Sequence, residues 1–185
     1  MDLIQFVTHV KNELKIKFLE IHLDAKFGSQ TTGHRENIRK NIVSVYSPLL
    51  STWEKKAILD LVSLPVGENL FFSISHTKSA GGYATCERRM GFDIEETSRI
   101  SQEIINRMCS IDELKNCPDV RFLWSAKESS FKCISNLNLV SEVKVTNWVK
   151  ISENFYSFSA NGSLHGFICL VSVNGLETTL SMTFF

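Results

Sequence analysis

Proline is scarce in this chain, with three in 185 residues, and no low-complexity stretch accompanies it. No Pro-rich or Gly/Ser-rich linker therefore marks a domain boundary. No run approaches eighteen consecutive apolar residues, so no membrane-spanning helix is expected. The opening MDLIQFVTHVKNELK has an acid at position 2 and no long apolar stretch, and no signal peptide is expected from it. Cysteine is present but unpatterned. Cys86, Cys109, Cys117, Cys133 and Cys169 are scattered, odd in number and contain no CxxC pair. That argues against a zinc cage or a disulfide framework and makes a reducing cytoplasm the expected setting. Charge of one sign is missing too: 20 Lys+Arg face 20 Asp+Glu. Neither nucleic acid nor an acidic membrane is an expected partner, and any anion site has to be local.

What is present is an ample core. The apolar fraction is 43% and there are 13 Phe, enough for one sizeable domain or two small halves. Helices are predicted at 3–14, 34–46, 101–115 and 120–135, the second from Ile38, Ile42 and Val45 at helical spacing. Strands are predicted at 15–23, 69–75, 81–87 and 90–95, and as a run through 143–185. An internal echo links FFSISHTKSAGGYATC (71–86) to FYSFSANGSLHGFICL (155–170) at an offset of 84, with five identities in sixteen positions. At the same offset GFD at 91 meets GLE at 175, and Glu95 meets Thr179. Helix, hairpin and Gly-x-acid recurring in order predict an α+β fold made of two similar halves, 1–88 and 89–185. Groups found in one copy only, such as His76 against Ala160, are the better candidates for chemistry.

Three clusters carry that chemistry. In GFDIEE, Asp93 and Glu95 are two apart on a strand, so both carboxylates face one way. Hard oxygen donors in this arrangement suit Mg²⁺, and Gly91 permits a close backbone approach. In SISHTKSAGG, Ser75 and His76 end a strand and enter a turn whose hydroxyls, Lys78 and glycines are potential phosphate donors. In FLWSAKESSFK, Trp124, Glu128 and Lys132 lie at i, i+4 and i+8 on one helical row, with Lys127 beside it. Glu128 meeting Asp93 and Glu95 puts three carboxylates around one divalent ion. The lysines then neutralise phosphate oxygens, and Trp124 anchors the helix in the core.

Read in order as SISH, GFDIE and WSAKESSFK, these clusters resemble the 4′-phosphopantetheinyl transferase superfamily. The family pattern is a Ser-His turn, then G-[IV]-D-[IL]-E, then W-[SA]-x-K-E-[SA]-x-x-K. The resemblance covers about residues 34–175, and the length with the 84-residue echo resembles the two-unit, surfactin-synthetase type. It implies a monomeric pseudo-dimer, each half an antiparallel sheet packed on a long helix. It also implies transfer of the phosphopantetheine arm of coenzyme A to a serine of an apo carrier protein, with release of 3′,5′-ADP.

By the same resemblance Asp93, Glu95 and Glu128 match the magnesium-binding acids, with Glu128 the base for the serine hydroxyl. Lys127 and Lys132 match phosphate-contacting lysines, Lys132 also assisting the leaving group, and Ser75 and His76 match coenzyme A phosphate contacts. The match thins upstream. WEKKAIL (53–59) stands where the family has G-K-P, with Lys56 as its lysine but no Gly or Pro. GHRE (33–36) resembles H-R-T/S with Glu36 in place of the hydroxyl, leaving Arg35 as a phosphate contact. Two other functions suit the same residues: another Mg²⁺-dependent phosphotransferase or pyrophosphatase, and a non-catalytic coenzyme A- or carrier-binding relic. Finally, Ile100, Ile104, Ile105, Met108, Ile111 and Leu114 form an apolar strip between the second and third clusters, with Arg99 and Arg107 nearby. It is read either as core or as a groove for a carrier helix.

Overall fold

The computed structural model describes residues 2–60, 69–134 and 136–185. Within them the chain is α+β, with six α-helices and two antiparallel sheets. The elements that matter for the site are α1 (Leu3–Leu14), β1 (Leu19–Asp24), α2 (His34–Tyr46), α3 (Thr52–Leu59), β2 (Phe71–His76), β3 (Gly81–Cys86) and β4 (Met90–Glu96). They are followed by α4 (Gln102–Met108), α5 (Ile111–Asn116), α6 (Val120–Cys133), β5 (Val145–Ser152), β6 (Phe155–Ala160), β7 (Leu164–Val173) and β8 (Leu176–Phe184). The first sheet has the order β1-β3-β2 and the second β4-β8-β7-β6-β5. Among the described residues no helix is long and apolar enough to cross a membrane.

The echoed segments fold alike. Residues 71–86 form the β2–β3 hairpin and residues 155–170 fall in the β6–β7 hairpin. The echoed GFD lies in β4 and the echoed GLE leads into β8, and these two strands pair directly, with Glu95 opposite Thr179. The sheets are nevertheless unequal, and the N-terminal helix belongs to both. Phe6 and Val10 of α1 are buried in one cluster with Ala84 and Cys86 of the first sheet and Phe155, Phe167, Leu180 and Met182 of the second. A second cluster joins α2 and α3 to β2 and β3, and a third joins α6 to β5, β6 and β7.

Three predicted elements differ from expectation. The strand expected over 15–23 begins at Leu19, since Lys15 takes the left-handed conformation that caps α1. The helix expected over 101–115 is broken into α4 and α5, because Ser110 leaves helical geometry to cap α5 in a reciprocal capping box with Glu113. The helix expected to reach 135 ends at Cys133, residue 135 lying outside the described residues. An element not predicted, α3, begins with the same device: Ser51 and Glu54 form a capping box.

β2 and β4 run side by side where the two sheets meet, yet no backbone ladder joins them. Serine hydroxyls bridge the seam instead. The Phe92 amide donates to Ser73 Oγ at 2.9 Å and the Ile94 amide to Ser75 Oγ at 3.2 Å. Those two amides would otherwise be buried without partners, at considerable cost.

Helix α6 lies across β4 and β8 with unusually small residues at the contact. Ser129 Oγ is 2.8 Å from Ser181 Oγ and 2.9 Å from Thr183 Oγ1, and Ser130 Oγ is 3.0 Å from Thr183 Oγ1. The approach is so close at Gly91 that a Cβ there would lie 1.8 Å from the Ser129 carbonyl oxygen. Gly91 is thus the position where the strand makes room for the helix, as its sequence context suggested.

Candidate functional site

A cavity of about 440 Å³ opens over the β2/β4 seam, lined by Arg35, Arg39, Phe72, Ser73, Ile74, Ser75, His76, Asp93, Glu95, Glu128 and Lys132. The three sequence clusters therefore converge. Asp93 and Glu95 share a face of β4 because they are two residues apart on a strand. Glu128 and Lys132 share a face of α6 because they are four apart on a helix. The approach at Gly91 brings those two faces together.

Asp93 is the hub. Its Oδ1 accepts from Ser75 Oγ at 2.9 Å and from Lys132 Nζ at 2.8 Å, and its Oδ2 accepts from Ser125 Oγ at 2.8 Å. The side chain is only 3% exposed, so the ion pair with Lys132 operates where water screens little. Lys132 also donates to Ser75 Oγ and to the Phe92 carbonyl, each at 3.1 Å.

The other two acids are held near neutrality. Burial and the neighbouring Asp93 push Glu128 up to about 7, although Lys132 opposes this. Burial pushes Glu95 up to about 8, aided by Asp93 and Glu128 and opposed by a hydrogen bond from Trp124 and by Lys132. Trp124 is thus half-buried at the site with its indole turned to Glu95, not the core anchor expected from sequence.

Three carboxylates that repel one another across a cavity match the hard donor chemistry of a Mg²⁺ site. Among the described residues, however, no three His, Cys, Asp or Glu side chains are close enough to form a ready-made cage. The donor types suit the ion, but Asp93 already accepts from three donors, Lys132 and two serines, in this arrangement.

The opposite wall is cationic. Arg35 and Arg39 are one turn apart on α2 and both line the cavity; with Gly33, His34 and Glu36 they also line a separate pocket. Arg35 Nε lies 3.4 Å from His76 Nε2, and the His34 and His76 rings meet edge to face at 4.5 Å. Burial, then His34, Arg35, Lys132 and Arg99, lower His76 to about 4, so the ring is neutral at pH 7. Burial and Arg35 also lower Arg39, whose Nη1 donates to the Ile58 carbonyl at 2.6 Å.

Of the residues expected from sequence, Asp93, Glu95, Glu128, Lys132, Ser75, His76 and Arg35 all line this cavity. Ser75 does so with its single donor committed to Asp93. Two residues stand elsewhere. Lys56 is exposed on α3 and does not line the cavity. Lys127 is fully buried on another face of α6, its ammonium 2.8 Å from Glu113 and donating to the Val143 carbonyl. Neither is placed for the phosphate contact that the resemblance implied. The Thr77 hydroxyl is likewise spent within the turn, on the Ala80 carbonyl, and that of Ser79 on Glu96 at the end of β4.

Arg39 and Ser125 were missed. Arg39 had a signal, since it follows Arg35 by four residues on a predicted helix. Ser125 had none, being one small residue among several on α6.

A scan against protein-family models and a search of curated proteins both returned no match.

Proposed function

We propose that this chain transfers the 4′-phosphopantetheine arm of coenzyme A to the serine of an apo carrier protein. One observation carries this reading: three acids and Lys132 face two arginines and a neutral histidine across a single cavity. A pyrophosphate-bearing substrate needs cations for its phosphate oxygens and a base for the incoming hydroxyl. Both are present on opposite walls, from motifs that resemble one family in order and in spacing. Helix, hairpin and strand echo at an offset of 84 residues, and direct β4–β8 pairing supports reading the chain as two related halves.

Glu128 is the base for the serine proton; without metal, burial and Asp93 raise its carboxyl, and a bound cation would favour the ionised form that accepts the proton. The serine oxygen forms a bond to the phosphorus bearing the pantetheine arm, the bond from that phosphorus to the bridging oxygen breaks, and 3′,5′-ADP departs with the electron pair. Lys132 leaves Asp93 to neutralise the leaving phosphate, while Arg35, Arg39 and His76 hold the nucleotide end. Asp93, Glu95 and Glu128 would hold Mg²⁺, which supplies charge neutralisation at the pyrophosphate.

The test is incubation with coenzyme A, Mg²⁺ and a panel of apo carriers from fatty-acid, polyketide and non-ribosomal peptide systems, read by intact mass. The expected result is one added arm on at least one carrier. Coenzyme A cleavage without any carrier identifies a pyrophosphatase instead. Binding without turnover identifies a relic.

A further inference from the structure

Lys127 is a buried charge that the proposed transfer leaves unused. It is 0% exposed, and a lone ammonium at that depth is not tolerated without a partner. Its partner, Glu113, is itself a junction. The Ser110 amide and hydroxyl each donate to Glu113 Oε2 at 2.9 Å, and the Val145 amide donates to Oε1 at 3.0 Å. Lys127 reaches the same Oε1 at 2.8 Å and donates also to the Val143 carbonyl. Burial opposes ionisation of Glu113, but the bonds from Lys127, Ser110 and Val145 prevail and hold the carboxyl below the usual range. One ion pair thereby fastens the start of α5, the approach to β5 and the middle of α6 to one another.

We propose that Lys127 is a positioning residue, which with Glu113 fixes the rotation of α6 about its axis and so aims Glu128 and Lys132 into the cavity. This rests on the transfer reading for its consequence, though not for its geometry. Lys127 and Glu128 are adjacent, about 100° apart around the helix. Any turn of α6 that releases Lys127 from Glu113 swings Glu128 by the same angle. Ser125 and Lys132 bond to Asp93, and Ser129 and Ser130 to β8, on the strand side of α6, where Lys132 lets go for transfer; apolar contacts on Phe122 and Leu123 set no register. A directional, charge-assisted bond sets one. The lysine that resembles a phosphate contact in sequence acts here from behind the helix.

A double-mutant cycle tests this. Lys127→Met leaves a buried carboxylate and Glu113→Gln leaves a buried ammonium, so each single variant is expected to melt about 10 °C lower. The double variant is charge-neutral and recovers part of that loss, since the carboxamide oxygen introduced by Glu113→Gln still accepts from the Val145 amide while its NH2 group replaces the acceptor of the Ser110 amide. With coenzyme A and carrier at a temperature where all variants are folded, Lys127→Met lowers kcat about tenfold to a hundredfold, with KM for coenzyme A within about twofold of the parent. The double variant, which also lacks the directional bond, keeps the low kcat although its melting temperature recovers; a kcat restored in it overturns the proposal. A KM for coenzyme A raised about tenfold in both the single and the double variant makes Lys127 a ligand contact and overturns the proposal. Normal kcat in the folded single variant overturns it also, leaving the pair purely structural. If the parent transfers nothing to any carrier, the reaction is refuted, and the clamp stands or falls on the thermal cycle: recovery supports it and additive losses overturn it.

Discussion

The Lys132 ammonium lies 2.8 Å from an Asp93 carboxylate oxygen and 3.1 Å from the Ser75 hydroxyl, so one cation ties the last turn of α6 to a strand of each sheet. Changing Asp93 therefore disturbs stability as well as chemistry. Asp93→Ala strips partners from Lys132, Ser75 and Ser125 at once, and a lower melting temperature is expected along with loss of activity. Asp93→Asn keeps the shape and most of the hydrogen bonds. It is expected to melt within a few degrees of the parent while transfer falls by about two to three decades. Rate and melting temperature measured on both variants check this; full activity in Asp93→Asn removes Asp93 from the site.

The two raised acids make stability depend on pH in a definite direction. Glu95 at about 8 and Glu128 at about 7 sit above their ordinary 4.5, so the folded protein binds more protons than the unfolded chain between those values. Their contribution to stability is full below about 4.5 and is lost as pH rises toward 8. His76, lowered from 6.5 to about 4, works oppositely between those two values. Above about 6.5 only the acids remain, so with chelator present the melting temperature is expected to fall between pH 6.5 and 8. Excess Mg²⁺ flattens that slope by neutralising the acids, and Glu95→Gln reduces it. A melting temperature that rises through the window contradicts the electrostatic account.

The nucleotide end of the substrate is assigned to α2 rather than α3. Arg35→Ala, Arg39→Ala and His76→Ala are each expected to raise KM for coenzyme A about tenfold, with little change in kcat. Lys56→Ala is expected to leave both constants unchanged. Lacking the G-K-P lysine from this cavity, the chain is expected to discriminate weakly between coenzyme A and its 3′-dephospho form. Steady-state kinetics with both substrates checks the set; a harmless Arg35→Ala/Arg39→Ala pair sends the nucleotide elsewhere.

The apolar strip divides between the core and the surface. Ile105 is 1% exposed and belongs to the interior, whereas Ile111 is 70% exposed at the start of α5. Ile111→Glu is therefore the clean probe of a carrier-docking face. It is expected to raise KM for carrier about tenfold without altering KM for coenzyme A or the melting temperature. Met108, which is partly covered, mixes the two effects. No change in the KM for carrier after Ile111→Glu returns this face to the solvent.

Much of the site was legible because period and spacing encode direction. Two residues on a strand fixed the shared face of Asp93 and Glu95, four on a helix fixed that of Glu128 and Lys132, and Gly91 marked where the two elements meet. What the chain did not disclose lay in long-range partners. Lys127 and Lys132 look equivalent in WSAKESSFK, and only the fold places Glu113 against one and Asp93 against the other. Trp124 looked like core because tryptophan is large and apolar, yet its one donor found Glu95. The break between α4 and α5 was written as S-x-x-E at 110–113, a capping signal masked by the continuing apolar period.

The serine bridges between β2 and β4 give the floor of the cavity a mechanical character of its own. In a backbone ladder each amide is bound to one carbonyl at a fixed pitch, and displacement along the strands breaks the row. Ser73 presents its oxygen to the Phe92 amide on a rotatable side chain, whereas Ser75, bonded also to Asp93 and Lys132, pins the seam at the Ile94 amide. The two sheets are thus riveted to each other through side chains, and neither shares a backbone ladder that the other could unzip.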